Sequence, residues 1–167
     1  MVKKIVLVLL VSLASATMSI GADSVTPDQR LQERIKAANV KIKTIDNQTL
    51  KNWIDSNEQD FVLLDVREPG EVSAGQIEAD DTMNIPRGLV EMQFIKKVTD
   101  LDTPVVIYCL QGSRGALTAE ALTDLGYTNI YNLQGGLLAW IESGHPVSNF
   151  FGEFEMKNFD SNFSKKS

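Results

Sequence analysis

The chain has 167 residues, enough for one domain with a sizeable core, and its 43% hydrophobic and 23% charged content is ordinary for a globular protein. An excess of 22 acidic over 16 basic residues, a net charge of −6, argues against nucleic acid and anionic lipid surfaces as partners. One cysteine, Cys109, excludes an internal disulfide, and one histidine, His145, without any cluster of ligand-type residues argues against a metal site.

Residues 1–16 stand apart. Lys3 and Lys4 precede an apolar run from Ile5 to Leu13, and Ala14-Ser15-Ala16 supplies the small residues of a cleavage site. The run is too short to span a bilayer comfortably. It reads as a signal peptide cut after Ala16, with Ala22 as the alternative site and an uncleaved anchor as the alternative fate. The expectation is therefore an exported protein, periplasmic in a Gram-negative cell and otherwise secreted, with no stable membrane insertion once cut. Cleavage leaves 14 basic against 22 acidic residues, a charge of −8, so local dipoles must hold any anionic substrate against an unfavourable global field. A free thiol is a liability in an oxidising compartment, and keeping one suggests use.

Residues 17–44 read as a linker and an N-terminal helix. Thr26 is placed as N-cap, Pro27 at the first helical position and Gln29 three residues after the cap, with a stripe of Leu31, Ile35 and Ala38. Val40 to Lys43 alternates like a short strand. Asp46 or Asn47 caps a helix carrying Leu50, Trp53 and Ile54. Phe61 to Leu64 is a continuous apolar run, the signature of a strand buried on both faces, with Asp65 and Arg67 at its carboxyl end. Thr82 to Ile85 forms a strand that Pro86 ends, and Arg87 beside it is expected to be solvated, the pocket rim being its alternative.

Gly88 to Val98 reads as one helix with Leu89, Met92 and Ile95. Pro104 to Tyr108 is the central strand. The helix from Ser113 to about Leu125 is expected to turn Leu117, Ala121, Leu122 and Leu125 to the core, with Gly126 ending it. Asn129 to Leu133 is the last strand, and a helix around Leu137 to Glu142 carries Trp140 into the core. Five short strands alternating with helices imply an α/β fold with an open, mostly parallel five-stranded sheet and helices on both faces. In the tail, 148–167, Phe150, Phe151, Phe154, Phe159 and Phe163 are too apolar for idle disorder. They are expected to pack back on the domain, with a homodimer interface or a docked partner as alternatives.

The chemistry concentrates in Cys109-Leu110-Gln111-Gly112-Ser113-Arg114. A thiol between a buried strand and a helix N-terminus meets unpaired backbone N–H groups and the favourable end of the helix dipole, which supports a thiolate. Gly112 permits a positive φ, so the amides of residues 110–114 can converge as an anion-binding nest. Arg114 adds a fork of donors suited to an oxyanion. The alternative is an inert buried cysteine.

This loop, a cysteine and an arginine with four residues between them, resembles the active-site loop of the rhodanese family. The resemblance extends to Leu64-Asp65-Val66-Arg67-Glu68-Pro69-Gly70-Glu71, to Gly75-Gln76-Ile77, to Asn84-Ile85-Pro86 and to Asn132-Leu133-Gln134-Gly135-Gly136-Leu137-Leu138-Ala139-Trp140. It covers about residues 45–147 as a single module, and Gln76 stands where the family usually has histidine. It implies the α/β fold already read, and sulfur transfer from a small sulfur-containing anion such as thiosulfate or polysulfide to a thiol, cyanide or protein acceptor, with no cofactor. Cys109 would be the nucleophile and carry a persulfide, Arg114 would orient the loop and the anion, and Leu110, Gln111, Gly112 and Ser113 would form the cradle. Asp65 and Arg67 would hold local structure as an ion pair, direct substrate contact by Arg67 being the alternative, and Glu71 would border the pocket. Two other readings stay open: a phosphatase or arsenate reductase, whose loops carry one more residue, and a non-catalytic sulfur carrier or binding module.

Overall fold

A computed structural model describes residues 25–160; residues 1–16, expected to be a signal peptide, and Phe163 lie outside them. Helix α1, Pro27–Lys41, opens on the expected capping box, in which the Gln29 N–H donates to the Thr26 hydroxyl and the Thr26 N–H to the Gln29 side chain. It runs further than expected and absorbs Val40 and Lys41, so strand β1 is Lys43–Ile45 alone. Tertiary contact extends it: Lys41 Nζ lies 2.8 Å from the Glu120 carboxylate of a later helix, and Ala38 is fully buried. Leu31 is exposed, so the apolar stripe is narrower than the sequence suggested.

Asp46 caps α2, Asn47–Ser56, by accepting from the Thr49 N–H. Strand β2, Val62–Asp65, is buried throughout, and the short helix α3, Pro69–Val72, and strand β3, Thr82–Asn84, follow it. Strands β4, Val105–Tyr108, and β5, Ile130–Leu133, complete a five-stranded sheet in the order β1-β5-β4-β2-β3, with every neighbouring pair parallel. Each parallel connection needs a crossover, and α5, Ser113–Asp124, makes the one from β4 to β5, while α6, Gly136–Glu142, follows β5.

Side chains alternate along the strands, so the core is split by the sheet. Val62, Leu64, Val105 and Ile107 face one layer with Ala119 and Leu122 of α5, and Leu63, Val106 and Tyr108 face the other with Leu137 and Trp140 of α6. The alternation continues past β4 and sends the Cys109 side chain to the α5 layer.

Two expected helices differ. The Gly88–Val98 stretch is a 3₁₀ turn at Arg87–Leu89, one turn of α-helix (α4, Val90–Gln93) and a second 3₁₀ turn at Phe94–Lys96. Its core residues are Val90, Phe94 and Val98, while Leu89, Met92 and Ile95 are exposed. These three lie four residues apart on one face, and Phe94 stacks edge-on against buried Tyr127 at 5.4 Å between ring centroids. In α5 the buried face is Gly115, Ala116, Thr118, Ala119 and Leu122, small residues that let the helix lie close to the sheet. Leu117 and Ala121 are half-buried and Leu125 is exposed, against expectation, because the residues of α5 that meet the sheet layer are Ala119 and Leu122.

The tail folds as an antiparallel hairpin, β6 (Val147–Asn149) and β7 (Gly152–Phe154), tied to the domain by reciprocal backbone hydrogen bonds between Gln76 and Ser148, both 2.9 Å. Phe154 and Phe159 pack on the α6 layer as expected. Phe150 and Phe151 do not: they form the hairpin tip and are 96% and 91% exposed.

Candidate active site

Cys109 leaves the sheet beside Val66, whose N–H donates to the Tyr108 carbonyl at 3.0 Å. The thiol is 1% exposed. Gly112 follows at φ +91° as the N-cap of α5, and its N–H donates to Cys109 Sγ at 3.1 Å. The donor is thus a helix-terminal amide, free of any helical partner and carrying the positive end of the dipole.

The loop is held from outside. The carbonyls of Cys109 and Leu110 accept from the N–H groups of Leu137 and Leu138 at 2.9 and 3.0 Å. A trans peptide points its N–H opposite its C=O, so the amides of Leu110 and Gln111 are turned away from α6. Asn132 Nδ2, buried in β5, donates to the Gly112 carbonyl at 3.1 Å. Gly136, at φ +60°, lies against the loop: a Cβ there would stand 2.5 Å from the Cys109 oxygen and 2.9 Å from the Gly112 nitrogen, both backbone atoms. Gly136→Ala is therefore expected to push the loop off its anchors, lower the unfolding free energy by about 1–3 kcal/mol, and remove Cys109 reactivity. Denaturant unfolding and alkylation kinetics check it; an unchanged alkylation rate would contradict it.

Arg114 sits in the first turn of α5 and makes a two-pronged pair with Glu71, Nη1 to Oε2 at 2.7 Å and Nη2 to Oε1 at 2.6 Å. The Arg114 hydrogen bonds hold the Glu71 carboxyl down at about 2, helped by the Glu68 N–H and opposed by partial burial. Glu71 in turn raises Arg114 further above its usual range. A depressed carboxyl pKa stabilises the fold above the ordinary value near 4.5 and loses that contribution as pH falls through about 2. Both side chains are about one-third exposed (33% and 32%), so solvent screens the pair and its contribution is modest. An NMR titration is expected to put the Glu71 midpoint near 2, and Arg114→Gln is expected to return it toward an ordinary glutamate value.

Arg67 makes the expected ion pair with Asp65. It is 1% exposed, its Nη2 bonds Asp65 at 2.5 Å and the Gly75 carbonyl at 2.9 Å, and its Nη1 reaches the Glu71 carbonyl at 3.3 Å. Burial opposes its charge, and the Asp65 carboxylate outweighs burial, so its pKa rises. The Cys109 loop and the Asp65–Arg67–Glu71 edge do meet on one rim. Beside it lies an apolar recess of about 340 Å³, walled by Glu71, Leu110, Leu137, Leu138 and Met156 among others. Gln111 is exposed and Ser113 half-buried on the other side of the loop.

Sequence reasoning passed over Asn132 as a support of the loop and Gly115 as its companion. A Cβ on Gly115 would lie 2.2 Å from Asn132 Oδ1. A polar residue in the apolar strand Ile130–Leu133 was the available signal for Asn132; Gly115, one glycine in a helix, gave none.

A family model described as a rhodanese-like domain matches residues 46–143. A sulfurtransferase of Allochromatium vinosum is 33% identical over 106 residues, 64% of this chain and 94% of that protein. Among solved structures, the polysulfide-sulfur transferase homodimer of Wolinella succinogenes is 26% identical with a TM-score of 0.61, over 78% of this chain and 91% of its own. A protein of unknown function and possible tyrosine phosphatase from Rhodopseudomonas palustris is also 26% identical, with a TM-score of 0.63 over 71% and 93%. A match over more than half of the chain, laid on this parallel sheet and this cysteine loop, makes the chain a member of the rhodanese-like domain family.

Proposed function

We propose that this protein is a sulfurtransferase that carries sulfane sulfur as a persulfide on Cys109. The observation that carries the reading is the Gly112 N–H held 3.1 Å from Cys109 Sγ at the N-terminus of α5. That donor stabilises negative charge on sulfur without a neighbouring base. The Cys109 thiolate attacks the outer sulfur of thiosulfate or polysulfide, forming one S–S bond as the donor's own S–S bond breaks. The electron pair leaves on sulfite or the shortened polysulfide. A thiol, cyanide or protein acceptor, as its nucleophilic anion, then takes the outer sulfur and returns Cys109 as thiolate, a ping-pong sequence with a covalent intermediate.

Arg114 orients the loop through Glu71, and the amides of Leu110, Gln111, Gly112 and Ser113 form the cradle. Asp65 and Arg67 support the rim. The reading also takes residues 1–16 as an export signal, which places the reaction outside the cytoplasm. Four residues between Cys109 and Arg114 favour a single sulfur atom over a tetrahedral phosphate, so phosphatase activity is not part of the proposal.

Intact-mass spectrometry after thiosulfate or polysulfide treatment is the test. A gain of one cyanide-removable sulfur is expected, and repeated turnover on small thiols would separate an enzyme from a carrier that loads once. No gain with either donor would sink the reading and turn attention to phosphate and arsenate substrates.

A further inference from the structure

The chain's five arginines are not equivalent. Asp65 neutralises Arg67, Glu71 neutralises Arg114, and Arg34 lies 4.0 Å from Glu120. Arg30 is exposed on α1. Arg87 differs from all of these. It is half-buried, its Nε is enclosed without a hydrogen-bond partner, and no carboxylate lies within ion-pair distance of it among the described residues. An enclosed guanidinium N–H left unbonded is costly, and the charge it belongs to has no carboxylate counter-ion among the described residues. Solvation, the expectation from sequence, is not where the structure puts Nε.

Its place in the fold says which anion. Arg87 opens the 3₁₀ turn after β3, and its backbone N–H donates to the Val66 carbonyl at 3.1 Å, while the Val66 N–H donates to the Tyr108 carbonyl at 3.0 Å. The carboxyl ends of β3, β2 and β4 therefore lie abreast, with Arg87 at one end and Cys109 at the other. Two strand spacings, roughly 10 Å, separate their backbones, a gap that a long guanidinium side chain and a small anion together span. Val66, Ile85, Val90 and Cys109 belong to one core layer, so the thiol and the turn carrying Arg87 lie on the same face of the sheet, against α5. The sulfur loop itself offers one cation, Arg114, whose Nη1 and Nη2 both pair with Glu71, while Leu110, Gln111 and Ser113 are neutral.

We propose that Arg87 is the anion-holding, donor-selecting residue of this site, its guanidinium receiving the charged end of the sulfur donor. This rests on the sulfurtransferase reading. As Cys109 sulfur bonds to the outer sulfur of the donor, the old S–S bond breaks and its electron pair departs on the sulfite or polysulfide anion that Arg87 pairs with. No oxidant or reductant enters. A fork of guanidinium donors suits an oxyanion in particular.

The experiment compares the wild type with Arg87→Gln and Arg87→Lys. It measures the concentration dependence of Cys109 sulfur loading from thiosulfate and from a neutral dialkyl trisulfide. For Arg87→Gln the KM for thiosulfate is expected to rise about tenfold or more, the size of one charge-assisted contact. Arg87→Lys should recover part of that loss, and trisulfide loading should stay within about twofold of the wild type. An unchanged KM for thiosulfate in the glutamine variant, or equal slowing with both donors, overturns the inference. Should the glutamine variant not fold, the lysine variant carries the test: a raised thiosulfate KM with unchanged trisulfide loading supports the inference, and any other result overturns it. A wild type that loads from neither donor overturns the sulfurtransferase reading and this inference with it.

Discussion

Cys109→Ser is expected to abolish sulfur uptake completely while leaving the fold intact. Cys109 is the only cysteine, so no second thiol can take its place. A serine hydroxyl stays protonated at neutral pH, and nothing beside position 109 is arranged to remove that proton; activation here comes from one amide and a helix terminus. Exchange at a sulfane sulfur needs the polarisable thiolate. Serine is close in shape to cysteine, and its oxygen can accept the Gly112 N–H in place of Sγ. Unfolding free energy should therefore move by no more than about 1 kcal/mol. Intact mass with thiosulfate and polysulfide reads the first half, and a denaturant melt reads the second. A sulfur adduct on the serine variant would place the reactive atom elsewhere and overturn the mechanism.

Arg67→Met is expected to have the largest effect on stability. It removes the guanidinium from a site where Asp65 and Arg67 are each 1% exposed, so the carboxylate loses the Arg67 Nε and Nη2 donors. The Gly75 and Glu71 carbonyls lose their Arg67 donors as well. Breaking a buried pair from one side costs about 3–5 kcal/mol, a large fraction of the 5–15 kcal/mol (order of magnitude) that a domain has. Replacing both partners, Asp65→Leu with Arg67→Met, should recover much of the loss, since no charge is then left stranded. The denaturant midpoint checks both variants. If Arg67→Met melted like the wild type yet loaded no sulfur, Arg67 would be a substrate ligand and the structural assignment would fall.

The same pair shows how far local reasoning reaches. Asp65 and Arg67 stand two residues apart at a strand end, and their pairing was readable because chain geometry alone brings them together. Asp46 and the Thr26 capping box were readable for the same reason. Strands β2 and β4 were legible because burial on both faces leaves continuous apolar runs, and the glycine at 112 because a helix entered at positive φ needs one. Where two faces competed, local pattern chose wrongly. From Gly88 to Val98 both Leu89-Met92-Ile95 and Val90-Phe94-Val98 are apolar rows, and only the position of Tyr127 in the tertiary fold decided which is buried.

What the sequence by itself determined is therefore what neighbours along the chain dictate: the order of strands and helices, the loop from Cys109 to Arg114, and the sulfur chemistry that such a loop resembles. What the tertiary structure decided are the pairings between residues far apart in the chain. Glu71 captures Arg114 from 43 positions away, Asn132 anchors the loop from 20, Lys41 stretches α1 toward Glu120, and the Nε of half-buried Arg87 finds no hydrogen-bond partner among the described residues. Charge and hydrogen-bond partners are chosen by distance in space, and a sequence shows only distance along the chain.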